Sequence, residues 1–220
     1  MNELLEIIKS SGLVPVFNHD DPVTAKRVIR ACYDAGLRVF EWTNRGDQAM
    51  LIFSRIIHYV KDEMPEMIVG VGSVFNGGTA RDYVLLGAMF IVSPVLDPGL
   101  SETCKELDVL WIPGAGTATE IYQARKWGAS IIKIFPGDAV GGPAFVKAIL
   151  GPMPDVQLMP TGGVSPTREN LAGWFNAGVC CVGIGSKLFT RELVEDEDST
   201  KLIESIRGAL EIIGEIRRGS

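Results

Sequence analysis

Lys133 is the polar member of an apolar run, Ile131-Ile132-Lys133-Ile134-Phe135-Pro136. A parallel strand covered on both faces reads as a near-continuous apolar segment, and an ionised ammonium inside one is costly unless it is paired or loses its proton. A lysine so placed suits work as a neutral amine, a nucleophile toward a carbonyl carbon. Unperturbed lysine titrates near 10.4, and bringing it to about 7 takes roughly 5 kcal/mol, within reach of burial alone. The alternative is a strand-end lysine whose head snorkels to solvent.

A second group of reactive side chains ends another β-type run, Val39-Phe40-Glu41-Trp42-Thr43-Asn44-Arg45. Alternation places Val39, Glu41 and Thr43 on one face and Phe40 and Trp42 on the other, which brings Glu41 near the rim that carries Arg45. A carboxyl there can move protons, and a guanidinium can hold a planar carboxylate through two parallel bonds. A structural salt bridge between Glu41 and Arg45 would account for the same pair. Pro160-Thr161-Gly162-Gly163-Val164 and Val182-Gly183-Ile184-Gly185-Ser186-Lys187-Leu188 are glycine-rich loops. Glycine lets backbone N–H groups approach an anion closely, so the two loops read as a phosphate site or as plain tight turns. Gly72-Ser73, Ser93-Pro94 and Pro113-Gly114 also close β-type runs, where glycine and proline are common punctuation.

Composition narrows the chemistry. The chain has 220 residues, 46% of them hydrophobic, and a net charge of −6 with mixed signs. No basic footprint for nucleic acid or anionic lipid is present, so a small-molecule substrate is expected. Two histidines, His19 and His58, leave little for a histidine-rich metal site, and no metal is expected. Cys32, Cys104, Cys180 and Cys181 contain no CxxC pair and read as buried free thiols. The amino terminus lacks the basic flank and apolar run of a secretory signal, and no stretch is long and apolar enough to span a bilayer. The expected location is the cytoplasm.

The elements that must position these groups alternate along the chain. Eight β-type runs are expected, over 13–17, 38–43, 67–71, 90–92, 109–112, 130–135, 156–160 and 179–183, with amphipathic helical segments between them. Asp21-Pro22 opens one helix and Gly36 stops it, Thr117 to Glu120 has capping-box spacing, and Ser165-Pro166 opens another. A helix near residues 2–9 precedes the first strand. Leu202, Ile203, Ile206, Leu210, Ile213 and Ile216 give the last helix an apolar face. Eight strand–helix units predict a single (β/α)8 barrel over residues 1–220 with an amino-terminal capping helix, its reactive groups converging at the carboxyl ends of the strands. An open doubly wound sheet would call for a GxGxxG turn after the first strand, and Pro15 to Asp21 contains no glycine.

In this order the motifs Glu41 with Arg45, Gly70-Val71-Gly72-Ser73, Ser93-Pro94, Ile112-Pro113-Gly114, Lys133-Ile134-Phe135-Pro136, Pro160-Thr161-Gly162-Gly163 and the 183–186 loop resemble one family. It is the 2-keto-3-deoxy-6-phosphogluconate (KDPG) / 4-hydroxy-2-oxoglutarate (KHG) aldolase family, matched from about residue 12 to 190. The resemblance implies a class I, metal-independent lyase without cofactor, acting on a keto-acid sugar phosphate and assembled as a homotrimer. It makes Lys133 the Schiff-base lysine and Glu41 the general acid/base. Arg45, Ser73 and Thr161 would lie at the carboxylate end of the substrate, Pro94 and Phe135 would shape the pocket, and Gly162, Gly163, Gly185 and Ser186 would take the phosphate. Ser73 stands where many members have threonine, and the first strand ends Phe17-Asn18-His19 without the arginine some relatives place near the phosphate. The glycine loops alone would also serve a phosphosugar isomerase or synthase, or a barrel that binds a phosphate ligand without turning it over.

Overall fold

Short runs rich in Val, Ile, Phe and Trp form the strands, and the amphipathic segments between them form the helices, in a computed structural model that describes residues 2–219. The first half of the chain runs α1 (Asn2–Ser11), β1 (Leu13–Phe17), α2 (Pro22–Asp34), β2 (Val39–Thr43), α3 (Ala49–Glu63), β3 (Ile68–Gly72), α4 (Gly77–Leu86), β4 (Phe90–Val92) and α5 (Pro98–Glu106). The second half continues with β5 (Leu110–Ile112), β6 (Gly114–Ala115), α6 (Ala118–Lys126), β7 (Ile132–Ile134), α7 (Gly142–Leu150), β8 (Leu158–Pro160), α8 (Arg168–Phe175), β9 (Val182–Ile184), α9 (Arg191–Glu195) and α10 (Thr200–Arg218).

The strands form a curled six-stranded parallel sheet in the order β5-β4-β3-β2-β1-β9 and a three-stranded parallel sheet in the order β6-β7-β8. The expected fifth strand is β5, and an unexpected short strand, β6, resumes beyond Pro113, which has no N–H to give the ladder. The sheets meet at both margins. Lys133 donates its amide to the Pro113 carbonyl at 2.8 Å, Cys180 donates to Leu158 at 3.0 Å, and Thr161 bridges to Gly183. Later strands are shorter than expected: β8 starts at Leu158 rather than Val156, whose amide instead closes a turn onto the Met153 carbonyl. The helix expected at Ser165-Pro166 starts at Arg168, where the Thr167 hydroxyl caps it by accepting from the Asn170 amide.

Strand alternation divides the core in two. Phe40, Trp42, Val69, Val71, Ile132 and Ile134 face outward and pack with helix residues such as Val28, Ile56 and Leu171. Val14, Val39, Ile68, Phe90, Val92, Ile112, Ile131, Met159 and Cys181 form a separate inner cluster, which α1 enters through the fully buried Ile8. The helix thus covers the inner layer from the end where the strands begin. Ile8→Ala is expected to destabilise the chain by about 2–4 kcal/mol through loss of transfer free energy and the cavity left behind. Urea unfolding would show this as a lower midpoint at unchanged slope.

Candidate active site

Above that inner cluster the inward positions turn polar. On β2 the sequence Val39, Glu41, Thr43 faces inward as alternation requires, and β7 brings Lys133 in from across the interior. Glu41 and Lys133 are only 1% and 5% exposed, and their Oε1 and Nζ atoms lie 3.7 Å apart. This is an ion-pair distance, too long for a hydrogen bond. Lys133 therefore does not snorkel. The carboxyl of Glu41 fits because β3 presents no side chain opposite it: a Cβ on Gly72 would sit 1.8 Å from Glu41 Oε1.

Burial pushes the Glu41 carboxyl above its ordinary range, and the positive charge of Lys133 pulls it partly back. A low-dielectric interior favours the protonated, uncharged form of this carboxyl. Glu41 Oε2 and Thr161 Oγ1 are buried without a hydrogen-bond partner among the described residues. Unpaired buried polar atoms are rare in folded proteins, and both of these belong to residues that line one cavity.

A cavity of about 450 Å³ opens above this pair, a size ordinary for a small-molecule site. Glu41, Arg45, Ser73, Pro94, Lys133, Phe135, Thr161, Gly162, Gly163, Gly185 and Ser186, all singled out from the sequence, line it together. Arg45 forms no ion pair with Glu41; it sits exposed at the rim, its guanidinium unpaired among the described residues. Its loop is held by the Trp42 indole, which donates to the Ala49 carbonyl at 3.0 Å, and by the Asn44 amide, which donates to Gly72. Ser73 directly follows β3 with φ 59°, the left-handed region that costs a non-glycine residue energy. Phe135 lays its ring 5.2 Å from Lys133 Nζ. Gly114 does not line the cavity. Its bare Cα lets the Pro94 backbone approach so closely that a Cβ would lie 2.4 Å from it.

At the other side of the mouth, Gly162 and Gly163 adopt φ of 90° and 71°. Asn170 braces this turn, donating to the Gly163 carbonyl at 3.0 Å and accepting from the Ser165 amide at 2.9 Å. Residues 185–189 form a hydrogen-bonded turn, with the amides of Leu188 and Phe189 both on the Gly185 carbonyl.

The model of the KDPG and KHG aldolase family matches residues 4–205. The chain belongs to this family. It is 32% identical over 205 residues to the 2-dehydro-3-deoxy-phosphogluconate aldolase of Pseudoalteromonas atlantica, covering 93% of each chain. Its fold matches the KDPG aldolase of Legionella pneumophila, crystallised with pyruvate captured as a covalent carbinolamine, with a TM-score of 0.84 and 27% identity, covering 92% of this chain and 96% of that one. It also matches the Zymomonas mobilis KDPG aldolase with 3-phosphoglycerate, with a TM-score of 0.82 and 25% identity over 96% and 97% of the two chains.

Beyond the motifs that carried the resemblance, this aldolase lines its cavity with Val16, Phe17, Asn18, Lys187 and Phe189. The sequence reading placed Lys187 in the glycine-rich loop after Gly185-Ser186 but gave it no role. Its ammonium makes no ion pair among the described residues. Among those residues no cluster of three or more His, Cys, Asp or Glu could hold a metal ion. No helix among the described residues is long and apolar enough to cross a membrane.

Proposed function

We propose that this aldolase cleaves 2-keto-3-deoxy-6-phosphogluconate to pyruvate and glyceraldehyde 3-phosphate through a Schiff base on Lys133, and accepts 4-hydroxy-2-oxoglutarate by the same route. The observation that carries the reading is the buried Lys133–Glu41 pair, 3.7 Å apart, beneath a cavity rimmed by Arg45. The enzyme is a carbon–carbon lyase.

The chemistry follows from the placement. Glu41 is the acceptor nearest the Lys133 amine, so it can take the proton that must leave before attack on the C2 carbonyl. The product of attack is a carbinolamine, the species captured in the Legionella relative. Glu41 then returns a proton to the departing hydroxyl, giving an iminium. That cation accepts the electron pair released when the C3–C4 bond breaks, while the carboxylate takes the C4 hydroxyl proton. Arg45 and Ser73 hold the pyruvyl carboxylate, with Thr161 Oγ1 at the same end, so the keto carbon is fixed against the amine. Pro94 and Phe135 wall the pocket. Gly162, Gly163, Gly185 and Ser186 surround the phosphate with short, close-approaching backbone.

Lys187 supplies the positive charge at that tail. A charge-assisted hydrogen bond contributes about 1.5–3 kcal/mol, so Lys187→Met is expected to raise KM for the phosphorylated aldol roughly 10- to 100-fold. Schiff-base formation with pyruvate, which has no tail, should be unchanged. A coupled pyruvate-release assay across KDPG, its galactonate epimer and 4-hydroxy-2-oxoglutarate tests the assignment and the KM effect, and borohydride trapping with pyruvate tests the Schiff base; absence of pyruvate from all three would overturn the assignment.

The same reading extends to architecture. The two sheets close into one (β/α)8 barrel spanning the chain, supported by the hydrogen bonds at both of their margins and by the inner cluster they share. The protein works in the cytoplasm and assembles as a homotrimer, the assembly supported by the exposed apolar side chains of Phe75 and Val95 after β3 and β4.

A further inference from the structure

Cys180 and Cys181 lie just before β9, away from the cavity, and the aldol chemistry uses neither. Successive residues of an extended chain normally point to opposite faces, yet these two Sγ atoms are 3.7 Å apart. Cys181 is fully buried in the inner cluster, and Cys180 is partly exposed beside α1. Arg217 holds the segment from α10. Its guanidinium donates to the carbonyls of Lys9 at 2.9 Å, Ser10 at 3.0 Å and Cys180.

We propose that Cys180 and Cys181 form a redox modification site that a hydroperoxide converts into a vicinal disulfide. Roles follow from the surroundings. A hydrogen bond from the Cys181 thiol, helped by the positive charges of Lys9 and Arg217, holds the Cys180 thiol below its usual range. The Cys181 thiol is pushed well up by that bond and by burial. Cys180, the more accessible and more readily ionised, is the attacking sulfur, and Cys181 resolves.

The Cys180 thiolate attacks the terminal oxygen of the hydroperoxide. The O–O bond breaks, the alkoxide takes a proton and leaves as an alcohol, and Cys180 becomes a sulfenic acid. Cys181 Sγ then attacks Cys180 Sγ. An S–S bond forms, the S–O bond breaks, and the departing hydroxide leaves as water with the Cys181 proton. Two thiols lose two electrons and two protons, and one hydroperoxide is reduced to alcohol and water. Closure needs only an approach from 3.7 Å to about 2.05 Å, with no added volume in a packed interior. Neighbouring Cα atoms are about 3.8 Å apart across a trans peptide, below the roughly 4.4 Å minimum usual for disulfides. The product is therefore strained and open to reduction by a monothiol.

The test is exposure of the folded protein to tert-butyl hydroperoxide, followed by intact mass and peptide mapping. The expected result is loss of two hydrogens per chain, mapped to the peptide holding both cysteines and reversed by glutathione. Cys181→Ala should stop at a sulfenic acid on Cys180 that a cyclic dione traps, and Cys180→Ser should abolish the reaction. If Cys181→Ala does not fold, the mapped wild-type product and the Cys180→Ser variant decide. The proposal is overturned if wild type shows no hydrogen loss, if Cys180 instead accumulates as a sulfinic acid, or if Cys180→Ser loses the same two hydrogens.

Discussion

Lys133→Ala is expected to lower the rate of pyruvate release on the order of 10⁵-fold or more, because the covalent route disappears with its nucleophile. The chain should remain folded. Removing one partner of a buried ion pair costs about 3–5 kcal/mol when the other charge is stranded, but burial already raises the Glu41 carboxyl, which can take a proton and become neutral. The loss of stability at neutral pH should therefore stay below that range. Two measurements check this. Borohydride reduction of wild type with pyruvate should place one reduced pyruvyl group on Lys133 and none on the variant, and urea melts should retain a single cooperative transition. A label found on another lysine, or a variant retaining more than about one per cent of activity, contradicts the role assigned to this amine.

Glu41→Gln should lower kcat by about 10²- to 10⁴-fold, the usual worth of a positioned acid or base, with little change in KM, since Arg45 and the glycine loops remain. The amide occupies the same space beside Gly72. In wild type the acidic limb of kcat/KM reports ionisation of Glu41 in the free enzyme. Burial raises that carboxyl, so the rate should begin to fall at a pH above the value near 4.3 of an unperturbed glutamate. The stability linkage follows from the same shift. A carboxyl whose folded value is raised contributes most below its unfolded value and loses that contribution as pH rises through the folded one. Across that window the unfolding free energy of Glu41→Gln should improve relative to wild type. An acidic limb at or below the ordinary glutamate value would argue that Glu41 is not the proton carrier.

Much of this was legible in the sequence because the signals were local. Alternation put Glu41 inward and Trp42 outward, an apolar run betrayed Lys133, and glycines marked helix stops and the two loops that line the cavity mouth. What escaped was everything set by distant neighbours. That Lys133 and Glu41 share one site followed from the family resemblance, and the structure pairs them from β7 and β2, strands not adjacent in either sheet. Nearness along the chain offered only the Glu41–Arg45 salt bridge, which does not form. No pattern along the chain encodes a contact made across the interior. Pro113 was read as a strand end, but β6 resumes beyond it because β7 supplies hydrogen-bond partners. Lys187 carried no signal of its own, since a lysine after a glycine turn is common at any surface. Its meaning came only when the ends of β1, β8 and β9 were seen to share one cavity.

The inner face of β3 offers Gly70 and Gly72, the first making room for the Phe90 ring and the second for the Glu41 carboxyl, while Gly183 does the same for the Thr161 hydroxyl. The reaction chamber is thus shaped as much by hydrogens as by functional groups. An inventory confined to acids, bases and nucleophiles would pass over these three positions, although a methyl at any of them intrudes on a neighbour. For this molecule, kinship in chemistry should be judged by where side chains are missing as well as by which ones are present.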